Sequence, residues 1–458
     1  MPDEITTKYP ADWSRFTSTE KRQWRFSGWR RSVEQAAYSS PEAKTASTAR
    51  LERLITAYNV EEPDRVPISG AVGMLPLLEA GLDYRTSIYH PEKAAAAIRK
   101  FNREHAEELD CLASWAFVGI AAPALDILDI KMYAYPGRGM PTDALGFQFV
   151  EGEYMLEGEY DALIRDPSDF WLRTYLPRVF GAFKPLARLS PLTDIVEINS
   201  MQLWALARSD VQDTLQRLLD AGKELGRFQE LGAIEQTEAQ LHGFPPAPRA
   251  FFAKAPFDTI GDTLRGTRQV IMDMFRQPDK LLRALDVVAD LTVRSILDSP
   301  SVAESVVVRF PLHKGADGWM SEEQFLRFYW PTLRRVVQAL VEEGLLVSLF
   351  AEGSFDSRLE LVNEFPKGAI TWQFDRTDMA KAKRLLGGRC SIEGNIPSSL
   401  LVAGSPADMM EACRGLIETC APGGGYILGP GAIPEHPKLE NLKAMAQAAR
   451  EYGKYLSA

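Results

Sequence analysis

The chain has 458 residues, 45% hydrophobic, 25% charged and 10% aromatic, which is ordinary globular composition and too long for a binding module. Lys+Arg number 52 against Asp+Glu 62, a net charge of −10 that argues against a nucleic-acid partner. No run reaches the roughly 18 apolar residues of a membrane span. The opening MPDEITTKYPADWSRF lacks the apolar core of a secretory signal, and four scattered cysteines without a CxxC give no disulfide framework. A reduced, cytoplasmic enzyme is the expectation.

Residues 1–62 read as a helical N-terminal extension. Residues 19–34 are rich in Arg, Lys, Glu and Trp, and Ser40-Pro41-Glu42 is a capped helix start with proline in the first turn. The helix that follows carries Leu51, Leu54, Ile55 and Tyr58 on one face and runs to about Val60, before Pro63-Asp64 breaks it. Short apolar runs then alternate with amphipathic stretches. The runs at 66–69, 112–118, 250–255, 305–310, 345–350, 369–374, 391–395 and 426–428 have the continuous apolar character of strands buried on both faces. Helices are expected at 92–110, 322–343, 406–419 and from 439 to about 456, the last with Leu442, Met445, Ala449 and Tyr452 on one side. Eight strands with helices between them predict an α/β fold, a single (β/α)8 TIM barrel over 63–458; a doubly wound open sheet is the alternative. The interval between the second and third strands is too long for one crossover and reads as an insertion with two helical stretches. Residues 194–200 offer a ninth strand.

In such a barrel the chemistry gathers at the C-terminal ends of the strands. That rule selects His313, with Asp317, after the run at 305–310, then Glu352 and Asp356 after 345–350, Asp375 after 369–374, and Glu393 and Asn395 in 391–395. His313 reads as a general acid/base or a substrate donor, or more plainly as a loop histidine holding a neighbouring carbonyl. No second histidine or cysteine lies at ligand spacing, so no metal is expected. Glu352, Asp356, Asp375 and Glu393 share one mouth, where mutual repulsion raises the pKa of at least one and makes it an acid able to protonate a leaving oxygen. The plainer reading of Asp356 and Asp375 is that they cap the helices just after them. Glu352, beside Leu349, Phe350 and Phe355, has the more apolar setting and is the expected principal acid. Trp115, Phe310 and Phe350 would form an apolar wall for the substrate, or belong to the core. Gly423-Gly424-Gly425 precedes a strand rather than opening a helix, which weakens a phosphate-loop reading. Gly429-Pro430-Gly431 allows either close ligand approach or a tight exit from the barrel.

Arg65-Val66-Pro67-Ile68 after a helix, Glu393-Gly394-Asn395-Ile396-Pro397, and residues 424–431 followed by Ile433-Pro434 and a helix from Leu439 resemble the uroporphyrinogen decarboxylase superfamily. Ala255-Pro256-Phe257 and Met272-Asp273-Met274-Phe275 fit it too, so the resemblance runs from Arg65 onward and is clearest over 345–452. It implies one (β/α)8 barrel but not one reaction, since the superfamily holds porphyrinogen decarboxylases and corrinoid-dependent and thiol methyltransferases. True decarboxylases carry an arginine-bearing segment after the first strand; here that place reads Ser69-Gly70-Ala71-Val72-Gly73-Met74. Their catalytic aspartate falls near Gly119 and their histidine at the last strand exit becomes Pro430. The zinc ligands of the thiol methyltransferases correspond to Phe350, Glu352 and Ala432, so the resemblance implies no zinc. It points instead to a methyltransferase moving a methyl group between a small ether-like donor and a corrinoid (cobalamin) carried by a partner protein, with room for a homodimer. The alternatives are a cofactor-independent decarboxylase or lyase of a small or tetrapyrrole-like carboxylate, and a non-catalytic tetrapyrrole-binding protein. The chain lacks the Asp-x-His-x-x-Gly signature of cobalamin-binding domains.

Overall fold

The computed structural model describes residues 9–70, 72–113, 119–191, 201–434 and 436–455. Two helices open it. Thr17 caps the helix Ser18–Gln35 through a reciprocal capping box with Glu20, and Ser40 with Pro41 starts the helix Pro41–Tyr58 as its sequence predicts. Phe26, Trp29 and Val33 of the first, with Leu51 and Ile55 of the second, pack on Val306, Val307 and Leu346. The extension therefore lies against the N-terminal ends of two central strands.

A small sheet in the insertion contains β1 (Tyr133–Pro136), β2 (Gly139–Met140) and β3 (Gln148–Phe149). The main sheet is wholly parallel and runs in chain order: β4 (Arg249–Phe252), β5 (Ser305–Leu312), β6 (Leu346–Ala351), β7 (Ile370–Phe374), β8 (Ser391–Glu393) and β9 (Tyr426–Ile427). Six of the expected strands are thus present. The run at 66–69 joins the edge beside β9 only through a parallel bridge between Ile68 and Leu428, with Ser69 N–H donating to Leu428 O at 2.8 Å. Pro67 has no N–H to donate, which limits that ladder. The strand expected at 112–118 falls largely, and the one at 194–200 wholly, outside the described residues. Among the described residues nothing pairs with the outer edge of β4.

The expected helices are found, with shifted ends. Pro91–Leu109 stops where Asp110 turns left-handed, and Ser405 with Asp408 caps Pro406–Cys420. The helix expected over 322–343 contains a π-helical turn at Phe325–Tyr329 before Trp330–Glu342. Pro331 has no N–H for the regular ladder, and the wider turn accommodates that loss. The last helix is Leu439–Glu451, shorter than predicted; Leu442, Met445 and Ala449 are buried, but Tyr452 is exposed beyond its end. Within the insertion lies a 33-residue helix, Ser209–Leu241.

Strand alternation and register place the site. Val308, Phe310 and Leu312 of β5, Leu349 of β6 and Trp372 of β7 belong to the main core against the helices. Residues between them face the opposite side, because side chains alternate with period two. The register then stacks that face in levels. Arg309, Ser348, Thr371 and Ser391 form the first, and Pro311, Phe350, Gln373 and Glu393 the second. Leu312, Ala351 and Phe374 are aligned partners, so His313, Glu352 and Asp375 follow side by side, with Asn395 next on the β8 exit.

Candidate active site

Asp258 organises the turn after β5. It is fully buried, and its carboxylate accepts the backbone N–H of His313 at 3.0 Å, that of Lys314 at 3.0 Å and the Tyr329 hydroxyl at 2.7 Å. Those bonds fix the His313 backbone. Asp262, one helical turn further on, fixes its ring: His313 Nδ1 lies 2.5 Å from Asp262 Oδ2. With Nδ1–H donated to that carboxylate, Nε2 faces Glu352 Oε1 at 3.6 Å. Lys314 Nζ pairs with Asp262 Oδ1, and Lys254 Nζ donates to Oδ2 at 3.2 Å. One carboxylate therefore holds an imidazole and two ammonium groups.

The charges set distinct proton affinities. Burial pushes Asp262 up, but the His313 hydrogen bond, Lys254 and Lys314 outweigh it and hold the carboxyl well below the usual range. The bond to Asp262 raises His313, with burial opposing and Asp258 adding to the rise. Burial raises Glu352; His313 opposes the rise, and Asp258, Asp262 and Asp375 add to it. Glu352 and His313 are accordingly a coupled pair that retains a proton to higher pH than either would alone in water. Their side chains remain 44% and 30% exposed, so the pair opens onto the mouth.

The other sequence-selected residues divide by what they touch. Asp375 does not cap the following helix; Asp378 does, accepting from Lys381 N–H, while Asp375 accepts the Gly353 N–H at 3.1 Å. Gly431 comes so close that a side chain there would meet Asp375 atoms at 2.7–3.0 Å, which favours the tight strand exit over ligand approach at Gly429-Pro430-Gly431. Asn395 donates to the carbonyls of Asp375 at 3.2 Å and Thr377 at 2.8 Å. Asp356 accepts from the Ser354 hydroxyl and the Asp378 N–H, and so braces loops without capping the helix that follows. Asp317 accepts from Ser354 and Ser357; burial pushes it up, but those bonds and Arg358 hold it below its ordinary value. Glu393 is buried one level below the mouth, where burial raises its pKa against Ser69 and Arg309.

Phe310 is a correction. It is 1% exposed on the helix-facing side of β5 and belongs to the core, not to a substrate wall. Phe350, of opposite parity, is half-buried on the site-facing side. Trp115 lies outside the described residues. Gly423, Gly424 and Gly425 all have positive φ, and Gly423 N–H donates to Glu62 at 2.8 Å, so this loop docks on the end of the extension. Asp258, Asp262, Lys254 and Lys314 were not selected from sequence. The strand-end rule applied to β4, with Asp at i and i+4 after Pro256, contains the missing signal.

Among the described residues, no group of three or more His, Cys, Asp or Glu side chains is arranged to hold a metal ion, and all four cysteines are free and buried. No helix among them is long and apolar enough to cross a membrane. A solved structure of a methyltransferase from Methanosarcina mazei matches 89% of this chain and 98% of its own, with a TM-score of 0.52 and 16% identity, which is a likeness of fold. Curated relatives named uroporphyrinogen decarboxylase include that of Actinobacillus succinogenes, 23% identical over 262 residues, covering 56% of this chain and 70% of the relative. That of Azoarcus sp. is 25% identical over 276 residues, covering 58% and 71%. The family described as uroporphyrinogen decarboxylase (URO-D) matches residues 209–452, from the long insertion helix to the end of the last helix, and the chain belongs to that family.

Proposed function

We propose that the chain is a methyltransferase of this family which demethylates a small ether-like donor, on a closed (β/α)8 barrel. The observation that carries the reading is the Glu352–His313 pair at the mouth, its imidazole oriented by Asp262 and its carboxyl raised by burial. Breaking a methyl–oxygen bond leaves the electron pair on oxygen, and an alkoxide is a poor leaving group without a proton or electrostatic help. Glu352 supplies that proton. His313, protonated and held through Nδ1, stabilises the carboxylate left behind, and Asp262 keeps its tautomer and orientation fixed.

A corrinoid carried by a partner protein would supply the methyl acceptor. The open mouth fits an acceptor presented from outside: Glu352 and His313 are part-exposed, and the His313 imidazole is engaged by Asp262.

Glu352→Gln keeps size and hydrogen bonding but cannot release a proton as an acid does. In a screen of methyl ethers with a methylatable cobalamin, it should lower transfer about 10²–10⁴-fold with little change in donor binding. Unchanged turnover on a donor that the wild type demethylates would remove Glu352 as the acid. The names of the relatives favour decarboxylation as the second reading. Its test is CO2 release without any corrinoid, and against it both lysines near the mouth are already paired with Asp262.

A further inference from the structure

A second cavity, of about 440 Å³, lies away from the mouth, between the N-terminal helices, the run at 66–69 and the loop before β4. Trp29, Leu54, Tyr58, Ile68, Leu112 and Phe244 give it largely apolar walls. That volume is within the roughly 300–1,000 Å³ of small-molecule sites, which are typically apolar with a few placed polar groups.

The charged groups lining it are not equivalent. Arg50 pairs with Asp110 at 2.8 Å, Arg53 with Asp64 at 2.7 Å, and Glu235 with Arg99 at 2.7 Å. Arg309 is the exception: its guanidinium has no hydrogen bond or ion pair among the described residues, although it sits in the middle of a central strand. It is exposed where its β5 neighbours Val308 and Phe310 are buried. Glu393 feels its charge but is itself raised by burial and makes no ion pair with it. Exposed to the cavity and without a partner among the described residues, this guanidinium is open to a charge-assisted, bidentate bond with an anion. His313 is four residues further along the strand, about 13 Å at the usual rise, so Arg309 is far from the proton-donating pair.

We infer that this cavity is a second ligand site, for an apolar aromatic acid whose carboxylate or similar anionic head binds Arg309. Its ring system lies between Trp29, Tyr58 and Phe244. The site is independent of the reaction proposed above and would stand if that reading failed.

The probe is 8-anilinonaphthalene-1-sulfonate, an apolar anion, titrated by fluorescence into the full chain. One equivalent should bind. Arg309→Gln should weaken binding roughly 10–100-fold through loss of one charge-assisted hydrogen bond. Ala247→Phe, on the lining loop, should weaken it comparably by filling the space, and Glu352→Gln should leave it unchanged. The inference is overturned if the wild type binds no probe, if both lining variants bind like wild type, or if Glu352→Gln weakens binding as much as Arg309→Gln. The last outcome would place the dye at the catalytic mouth. Thermal melts of each variant separate a lost site from a lost fold.

Discussion

On one register level, the β5–β6 side and the β7–β8 side of the mouth use similar residues for different ends. On the first, side chains hold side chains: Asp262 grips His313, Lys254 and Lys314, and His313 faces Glu352. On the second, side chains hold backbone: Asp375 accepts the Gly353 N–H, and Asn395 donates to two carbonyls. A carboxylate whose lone pairs are taken by fixed N–H donors is held in place. One whose main neighbour is an imidazole, among other carboxylates, is free to exchange a proton. Position at a strand end therefore does not make a residue catalytic; the class of its partners does.

The largest expected effect comes from Asp262→Asn. It leaves Lys314 nearly buried without its counter-charge and frees the His313 ring. Breaking such a buried pair typically costs about 3–5 kcal/mol, readable by denaturant titration. Transfer should fall by more than about 10²-fold as His313 loses orientation. Asp262 is depressed in the folded state, so its stabilisation is present above the ordinary carboxyl value and is lost as pH falls from that value toward the depressed one. The variant should accordingly lose part of the wild-type acid sensitivity in melts below about pH 4. A variant that melts and turns over like wild type would end the assignment of Asp262 as the residue that orients His313.

Asn395→Ala tests the other side. It removes the donors to Asp375 O and Thr377 O, costing about 1–3 kcal/mol if those carbonyls are left unpaired. Transfer by the folded variant should stay within a few-fold of wild type. A loss comparable to that of Glu352→Gln would show that Asn395 touches the substrate and that the two sides do not differ as described.

Much of this arrangement is legible in the sequence, for identifiable reasons. β5 to β8 are continuous apolar runs with β-branched or aromatic residues, and His313, Glu352 and Asp375 each follow such a run, so placing the strands places them. Phe310 is misread because a strand buried on both faces is apolar at both parities; only the three-dimensional register says which parity faces the helices. Asp258 and Asp262 are hidden in a helical turn after β4, where acidic residues look like ordinary helix-start chemistry. Lys254 and Lys314 give no periodic signal; their role appears only when β4 and β5 bring both to one carboxylate. The run at 66–69 is correctly next to the last strand, but proline reduces its pairing to a bridge.

Asp375→Asn gives the smallest expected change and separates charge from scaffold. The amide oxygen can still accept the Gly353 N–H, so the loop should hold and stability should change little. What disappears is one negative charge that helps keep Glu352 protonated. The sign follows directly: a proton donor works while protonated, so transfer falls as pH rises through the raised Glu352 pKa. Without the Asp375 charge that alkaline limb should move to lower pH. The loss at neutral pH should be less than about tenfold, the equivalent of one unit. A pH–rate profile reads both. A limb that moves upward would mean Asp375 favours the ionised form of Glu352. A loss as large as that of Glu352→Gln at every pH would mean that Asp375 meets the substrate, in which case the side built to hold backbone is also a side that does chemistry.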